Sequence, residues 1–231
     1  MGHKEILLFS GGLDSYIAWH YLKKPPVLFF DAKHSYVKKE LGTVAYFANR
    51  HPEMQLEIDR TLDLLLWEKA DFYIPYRNVL FTMIGSLYAP KVHLIGIKGD
   101  SVNDNNPEAT KRMSEFYNYF DPESPITVSS PFYEMTKTQI VEWYIKQGLP
   151  IEDLIRTRSC YDKSVDGQCG RCGSCFRRWV AFENNEITED YVSPPWEWQA
   201  VDKYIEDMKQ GRYDEARTAE TLRALSKFRE V

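Results

Sequence analysis

Short apolar runs alternate along this chain with segments in which apolar residues recur every three or four positions. The apolar runs predict buried strands at 5–9, 27–30, 55–58 and 92–97. The helical pattern covers 39–50, 78–88 and 107–119, and a further helix begins near residue 16. Strands that alternate with helices are typical of α/β proteins. The pattern therefore predicts a parallel sheet with helices on both faces.

The later part of the chain is mainly helical in its pattern. Thr136 and Gln139 have the spacing of a capping box, which predicts a helix over 140–147. A charged helical stretch over 200–229 is interrupted at Gly211, and we expect its apolar face to pack on its own domain, with partner binding as the alternative.

These patterns predict three regions. They are a nucleotide-binding α/β domain at 1–150, a small helical metal-binding lobe at 151–187 and a helical C-terminal extension at 188–231.

The composition excludes several broad classes of protein. The chain has 231 residues, 43% of them hydrophobic, which is enough to bury a full core. No apolar stretch approaches the about 20 residues that a membrane-spanning helix needs, and the first residues do not resemble a signal peptide. The net charge of −5 argues against indiscriminate nucleic-acid binding. We therefore expect a cytoplasmic protein with no membrane association and no stable nucleic-acid partner.

The most informative polar segment follows the first predicted strand and reads Ser10-Gly11-Gly12-Leu13-Asp14-Ser15. Paired glycines let the backbone approach an anion closely, and the amides that open the next helix face that anion. The two serines add hydroxyl donors, and Asp14 can hold Mg²⁺ or a phosphate-linked water. The spacing is neither that of a Walker loop nor that of a dinucleotide loop. The segment predicts an ATP site, the alternative being a tight turn that uses glycine for geometry alone.

This segment resembles the PP-loop of the N-type ATP pyrophosphatases. That superfamily activates a carbonyl or carboxylate by adenylation and releases pyrophosphate, and the resemblance implies an adenine nucleotide alpha hydrolase-like fold. Ligands of open α/β sheets bind at the carboxyl ends of the strands. We therefore expect the loop, residues 31–34 and residues 96–100 to gather at that edge.

All four cysteines lie in one short segment, at Cys160, Cys169, Cys172 and Cys175. Two disulfides are improbable at this spacing in a cytosolic chain, whereas four thiolates suit a tetrahedral structural zinc. An iron–sulfur cluster and redox chemistry are the alternatives. Glycines at 167, 170 and 173 would let the loop wrap around the ion. We expect four arginines to offset the negative charge of such a centre, namely Arg158, Arg171, Arg177 and Arg178.

The PP-loop and the cysteine set together resemble the 7-cyano-7-deazaguanine synthases (QueC). Further stretches agree with that family: Ile74-Pro75-Tyr76-Arg77-Asn78, Lys33-His34 followed by Glu40, Met135-Thr136-Lys137 followed by Ile140-Val141, and Arg178 followed by Ala181-Phe182. The resemblance covers about residues 5 to 187 and fades from 188 onward.

The resemblance implies an ATP-dependent carbon–nitrogen ligase of queuosine biosynthesis. It would convert the deazapurine 7-carboxy-7-deazaguanine and ammonia to 7-cyano-7-deazaguanine, with ATP and Mg²⁺ for activation, a structural Zn²⁺ and a homodimeric assembly. The loop Ser10–Ser15 would bind ATP. Asp14, Arg77 and Lys137 are the candidate catalytic residues, and Arg77 and Lys137 are candidate partners of a phosphate or carboxylate. The structural alternatives are a helix cap for Arg77 and a solvated side chain for Lys137.

The stretch 99–110 departs from the family pattern, because it lacks the cysteine, arginine and aromatic residue of Y-P-D-C-R-P-E-F. Asp100, Asn103 and Asp104 can still bond a purine-like edge, or can belong to a polar loop that caps the next helix. For Asn105 and Asn106 we expect the capping role.

Two further readings are open, and this departure motivates the first of them. One is a related PP-loop enzyme that adenylates a different carboxylate or conjugates a deazapurine to another molecule. The other is a zinc-containing tRNA-binding or tRNA-modifying protein. The acidic composition and the lack of a spare cysteine to carry sulfur argue against the tRNA reading.

Overall fold

A computed structural model describes residues 2–100 and 102–230. Within these ranges the chain forms one five-stranded sheet in the order β3-β2-β1-β4-β5, and every neighbouring pair is parallel. The strands are β1 at Ile6–Leu8, β2 at Val27–Phe30, β3 at Leu56–Asp59, β4 at Lys91–His93 and β5 at Thr127–Ser129. The predicted α/β class is confirmed.

The helices in the described ranges fall between and after these strands. They are α1 at Leu13–Tyr21, α2 at Val37–Arg50, α3 at Arg77–Tyr88, α4 at Pro107–Phe120, α5 at Lys137–Lys146, α6 at Ile151–Arg156, α7 at Gly173–Glu183, α8 at Val201–Lys209 and α9 at Glu215–Leu225. Single 3-10 turns lie at Leu65–Trp67 and Pro195–Glu197. None of these helices combines the length and apolar character needed to cross a bilayer.

The strand order reverses at β1, and this reversal distributes the helices. Right-handed crossovers on the two sides of β1 place α1 and α2 on one face of the sheet and α3 and α4 on the other. The alternation within β1 agrees, because Ile6 and Leu8 belong to a core cluster with Val79 of α3 and Met113 of α4. Both faces of the central strands are therefore buried, which explains why these strands read as continuous apolar runs.

The chain divides into two compact units. The first comprises the residues up to Gly96 together with 100–133, and so contains the whole sheet. The second comprises 97–99 and the chain from Glu134 onward, with helices α5 to α9. The predicted region boundaries at 150 and 187 stay predictions.

The second unit has its own apolar core. Phe176 and Trp179 of α7 pack with Val201 of α8 and Leu225 of α9. Phe228, just after α9, stacks on Trp196 with ring centroids 4.2 Å apart. The charged C-terminal stretch thus packs on its own unit, as expected.

Some elements differ from the sequence pattern. β4 ends at His93 instead of residue 97, and the short strand β5 was not predicted. The lobe at 151–187 was predicted to be helical without bounds for its helices, which are α6 and α7. A three-residue edge strand carries too little periodicity to be recognised. Gly173, expected in the loop around the metal, is instead the first residue of α7.

Candidate functional site

The loop between β1 and α1 has the backbone geometry of an anion cradle. Gly11 has φ +71°, and a Cβ at this position would lie 3.0 Å from the Cγ2 atom of Thr43. Gly12 is extended and forms the N-cap of α1, and no side chain in the described residues caps that helix. The amides of the first turn of α1 are therefore positioned for an anion.

The serine hydroxyls fix the curvature of this loop. The Ser15 hydroxyl donates to the carbonyl oxygen of Gly12 at 3.0 Å, and the amide of Gly12 donates to the hydroxyl of Ser10 at 3.3 Å. Leu13 is buried and contributes its backbone alone, while Asp14 lies in the first turn of α1, only partly covered. The sequence-predicted residues Ser10–Ser15 are thus gathered in one loop, and their role in ATP binding stays a prediction.

The loop sits at the point where the strand order reverses. β1 has β2 on one side and β4 on the other, so the crossovers leaving β1 and β4 run to opposite faces. A crevice forms at the carboxyl ends of the strands at such a point, and ligands of open α/β sheets bind there.

Two stretches that are distant in sequence meet in the first unit. His34 is buried, its Nε2 atom lies 3.3 Å from a carboxylate oxygen of Glu40, and its ring centroid lies 4.0 Å from that of Tyr36. The hydroxyl of Tyr36 accepts a hydrogen bond from Nη1 of Arg77 at 2.7 Å. Arg77 is the first residue of α3. The hydrogen bond to Tyr36 orients its guanidinium, and sequence reasoning did not single out Tyr36.

The polar stretch before α4 is largely used within the protein. Asn106 caps α4 by accepting from the amide of Ala109 at 2.9 Å, as predicted. Asn105 instead donates from Nδ2 to the carbonyl oxygen of Ile95 at 2.8 Å, because it lies one residue before the cap. The predicted substrate residue Asp104 accepts from Nδ2 of Asn78 at 3.0 Å.

The remaining substrate candidates receive less support from the geometry. The carbonyl oxygen of Asn103 accepts from Nδ2 of Asn106 at 3.1 Å. Burial is the main cause of the raised pKa of Tyr133, and the negative charge of Asp100 adds to it. Ser101, within the same stretch, lies outside the described residues. Binding of a deazapurine by Asp100, Asn103 and Asp104 stays a prediction.

The four cysteines form a cluster in the second unit. Their sulfur atoms all lie within 4.8 Å of one another, and those of Cys169 and Cys175 are 3.8 Å apart. Four sulfurs at a Zn–S distance of about 2.3 Å in a tetrahedron are about 3.8 Å from each other. None of the four is in a disulfide. The donor set and its spacing fit a tetrahedral metal ion without an open coordination position.

Backbone amides complete the surroundings of this cluster. The amides of Asp162, Arg171 and Cys175 donate to the sulfurs of Cys160, Cys169 and Cys172 at 3.4, 3.3 and 3.4 Å. In the absence of a bound cation, burial raises the pKa of the Cys169 thiol to about 12. A bound cation would lower the pKa of these thiols, because it stabilises the thiolate form. The amide–sulfur hydrogen bonds help to hold the sulfurs in place.

One glycine is essential to the shape of the cysteine loop. Gly170 has φ +74°, and an added Cβ would lie only 1.7 Å from the carbonyl oxygen of Ser193. The same region is joined by a bridge between Gln168 and Tyr191. The loop therefore packs directly against the backbone at 191–193.

Arg178 does not have the role expected from the sequence. It is fully buried and donates to both carboxylate oxygens of Glu189 at 2.7 and 2.8 Å, so its charge is already paired there. It also donates to the hydroxyl of Thr157 at 2.6 Å. Arg171 pairs with Asp162 at 3.3 Å, and Arg158 donates to the carbonyl of Val165 at 3.0 Å. Arg178 is thus a structural residue that joins the segments on either side of the cysteines.

Lys137 is the first residue of α5, behind a complete capping box. The hydroxyl of Thr136 accepts from the amide of Gln139 at 3.2 Å, and Oε1 of Gln139 accepts from the amide of Thr136 at 2.8 Å. Lys137 lines a cleft in the second unit together with Lys98, Arg177 and Arg217. Sequence reasoning missed Lys98 and Arg217, because no local pattern relates them to Lys137.

Comparison with known families decides how this chain is classified. The family model described as "Queuosine biosynthesis protein QueC" matches residues 53–186, more than half of the chain. The chain belongs to the QueC family. The family predicted from the loop and cysteine motifs is confirmed, and with it the expectation of an enzyme of this class.

Curated relatives of this family member extend over most of the chain. The 7-cyano-7-deazaguanine synthase of Archaeoglobus fulgidus is 29% identical, with 89% of this chain and 96% of the relative covered. That of Prochlorococcus marinus subsp. pastoris is 27% identical, with 80% and 96% covered. The 7-cyano-7-deazaguanine synthase 1 of Colwellia psychrerythraea is 27% identical, with 82% and 98% covered.

Proposed function

We propose that this QueC family member is an ATP-dependent ligase that converts 7-carboxy-7-deazaguanine and ammonia to 7-cyano-7-deazaguanine. The observation that carries the proposal is the cradle at Gly11–Ser15, which follows the central strand where the strand order reverses. In a chain related to synthases of this nitrile, such a cradle supports binding of the phosphates of ATP.

The reaction requires two activations of the same carbon. The substrate carboxylate attacks the α-phosphorus of ATP, which forms an acyl adenylate and releases pyrophosphate. Ammonia then displaces AMP and gives the amide. A second ATP adenylates the amide oxygen with release of pyrophosphate, and loss of AMP and protons leaves the nitrile. No protein nucleophile is needed, so catalysis is chiefly positioning and neutralisation of charge.

The roles of the loop residues follow from their places. The first-turn amides of α1, including that of Ser15, and the hydroxyl of Ser10 would hold phosphate oxygens. The Ser15 hydroxyl, which donates to the carbonyl oxygen of Gly12, would hold the turn in shape. Asp14 would hold the Mg²⁺ that accompanies ATP, since carboxylates are hard oxygen ligands. Arg77, oriented by Tyr36, would bind a phosphate or the substrate carboxylate through its guanidinium.

The cysteine cluster has a different role in this proposal. Four thiolates fill the tetrahedral coordination of zinc, so the ion would have no position for substrate. We assign it a structural role in holding the loop between α6 and α7. Cys160, Cys169, Cys172 and Cys175 would be its ligands.

The stretch before α4 supports a second candidate. Asp104, Asn105 and Asn106 are engaged by Asn78, Ile95 and the α4 amides, which leaves few groups there to bond a purine edge. A related enzyme that adenylates a different carboxylate, or conjugates a deazapurine to another molecule, would have the same ATP loop with a different substrate contact.

Mass spectrometry separates these candidates. Purified protein is incubated with ATP, Mg²⁺, ammonium and 7-carboxy-7-deazaguanine, and the nitrile and AMP are quantified. Two AMP per nitrile are expected. AMP release without a deazapurine product would favour the second candidate, and absence of both products would overturn the assignment.

A matched pair of variants tests the loop. Ser15→Ala should reduce AMP formation strongly, since the buried hydroxyl donates to the carbonyl oxygen of Gly12 and so holds the turn that opens α1. Ser86→Ala removes an exposed hydroxyl that bonds the carbonyl of Met83, and should leave turnover unchanged. Equal activity of the two variants would argue against the loop as the ATP site.

A further inference from the structure

Tyr76 combines a strained backbone with an exposed aromatic ring. Its φ of +60° lies in the left-handed region, which a residue with a Cβ adopts only at a cost. The residue is 74% exposed, and its side chain forms no hydrogen bond or ring contact with another described residue. Strain that the packing of the side chain does not offset points to a functional role.

The position of Tyr76 makes this strain unusual. Among the other non-glycine residues with positive φ, Lys23, Lys24 and Glu186 follow the ends of helices, where a left-handed residue commonly terminates the helix. Tyr76 instead precedes α3 as its N-cap residue, a position that normally has an extended backbone. A glycine would adopt the same φ without strain. The turn by itself therefore gives no reason for a tyrosine.

The topology of the first unit places Tyr76 at the edge of the sheet where ligands bind. β3 ends at Asp59, the segment 60–76 follows, and α3 then returns towards the start of β4. Because the strands are parallel, the N-terminus of α3 lies at their carboxyl ends, as does the loop after β1. The amide of Leu64 donates to the carbonyl oxygen of Ala32 at 2.9 Å, which joins the segment 60–76 to the loop after β2.

Polar groups suited to a substrate follow Tyr76 directly in the chain. Arg77 is the next residue, and its guanidinium, oriented by Tyr36, is the proposed partner of a phosphate or carboxylate. Asn78 donates to Asp104 at 3.0 Å, which brings the start of α3 to the stretch before α4. Residues 100–110 of that stretch include no aromatic side chain, so a stacking surface for a base must come from another segment.

We propose that the ring of Tyr76 stacks on the planar heterocycle of the deazapurine substrate. The inference rests on the proposed function for the identity of this ligand. In 7-carboxy-7-deazaguanine the carboxylate is attached directly to the heterocycle, so the partner of the carboxylate and the surface that stacks on the rings must lie close together. Adjacent residues, with Cα atoms about 3.8 Å apart, meet this requirement. Aromatic side chains are the usual stacking partners of flat bases.

Calorimetry on the full chain tests the proposal. A non-hydrolysable ATP analogue, and 7-carboxy-7-deazaguanine with and without that analogue, are titrated into the wild type, Tyr76→Gly and Tyr76→Phe. Loss of one stacked base should weaken binding of the deazapurine to Tyr76→Gly by about 5- to 100-fold, and binding of the ATP analogue should not change. Tyr76→Phe keeps the ring and should bind the deazapurine as the wild type does.

Thermal unfolding and kinetics distinguish stacking from a structural role. Tyr76→Gly removes the left-handed strain, so its midpoint of unfolding should rise by about 2–4 °C while deazapurine binding weakens. A residue that served only the fold would lose stability and binding together. The same variant should raise KM for the deazapurine and leave kcat nearly unchanged, because stacking is present in both the ground state and the transition state.

Two control variants separate the strain from the ring. Lys23→Gly removes a positive φ of +62° just after α1, at the opposite edge of the sheet. It should gain similar stability with unchanged affinity for the deazapurine. Tyr119→Ala removes an 81% exposed ring near the end of α4, also at the opposite edge, and should leave that affinity unchanged.

Weaker deazapurine binding and a raised unfolding midpoint in Tyr76→Gly, with normal binding in Tyr76→Phe, support the proposal. Unchanged deazapurine affinity in Tyr76→Gly, a loss confined to the ATP analogue, a joint fall in stability and binding, or an equal loss in Tyr119→Ala overturns it. The supporting pattern without nitrile formation would count against the proposed function only. A wild type that binds no deazapurine would overturn both.

Discussion

The loop after β1 and the loop that carries the cysteines both depend on a glycine with positive φ, but they are held in different ways. Gly11 lies between a central strand and a nine-residue helix, and its close neighbour is the methyl group of Thr43. Gly170 lies in a segment without regular structure between α6 and α7, against the backbone carbonyl of Ser193.

This difference indicates where each loop obtains its shape. Secondary structure on both sides fixes the first loop, so its conformation does not require the ligand. The second loop has no regular element on the side of Gly170 that precedes α7. It is held by backbone bonds to residues 191–193, by single contacts such as that of Arg158 with the Val165 carbonyl, and by whatever joins the four sulfurs. We therefore expect damage to the first loop to remove ligand binding and damage to the second to remove folded structure.

The largest effect is expected for Gly170→Ala. Its Cβ would lie 1.7 Å from the Ser193 carbonyl oxygen, and backbone atoms cannot give way as a side chain can. We expect loss of bound zinc and of folded structure in the second unit, measured by elemental analysis and circular dichroism.

Gly148→Ala is the matched control for that variant. Gly148 has φ +68°, but nothing lies within 4 Å of its added Cβ. It should retain zinc and lose only about 1–3 kcal/mol through backbone strain. Equal behaviour of the two variants would show that φ, and not the contact with Ser193, decides the effect.

Removal of the metal should affect the two loops differently. A chelator strong enough to extract zinc should increase amide hydrogen exchange in residues 157–192, because a preformed four-sulfur site is rarely stable without its ion. Exchange in β1 and α1 should change little. Equal exchange across residues 157–192 before and after extraction would contradict the structural role of the metal.

Arg178→Ala should destabilise the second unit without touching a cysteine. The variant leaves the carboxylate of Glu189 buried without its partner, which costs about 3–5 kcal/mol. Urea denaturation followed by tryptophan fluorescence, to which Trp179, Trp196 and Trp198 of the second unit contribute, measures this.

Lys146→Ala is the control for the buried pair. It removes an exposed partner of Glu142 and should cost about 0–1 kcal/mol. If the two variants lost the same free energy of unfolding, Arg178 would not be the structural residue inferred here.

Gly11→Ala should have the smallest effect on stability and a large effect on ATP binding. The φ of +71° costs roughly 1–3 kcal/mol for alanine, and the Thr43 methyl group must shift. We expect much weaker binding of an ATP analogue by calorimetry with zinc content unchanged.

Thr43→Ser sharpens the Gly11 result, because it removes the crowded methyl group. Combined with Gly11→Ala it should recover part of the lost stability, with the backbone strain remaining. No recovery would show that crowding at Thr43 contributes nothing.

The contrast between the loops also explains which features could be predicted. β2 was predicted with its observed bounds, since a fully buried parallel strand is a continuous apolar run. The capping box at Thr136 was predicted because it is a local pattern of four residues. β5 escaped prediction, as its three residues are recognised as a strand through pairing with β4.

In the candidate site, too, local patterns could be predicted and long-range contacts could not. Ser10–Ser15 and the cysteine spacing are short segments whose chemistry is readable directly, and the family followed from them. The expectation that Arg178 neutralises the metal centre was wrong, because its partner Glu189 lies eleven residues away and proximity in sequence to Cys175 was no guide.

By itself, the sequence determined the alternation of strands and helices, the glycine turn that opens α1 and the cluster of four thiols, because each depends on residues close together in the chain. Only the tertiary structure decided that Arg217 meets Gly99 across 118 positions, and that Lys98, Lys137 and Arg177 share its cleft. Local patterns report backbone preference and burial, whereas such convergence depends on how distant helices pack, and packing leaves no periodic signal in the chain.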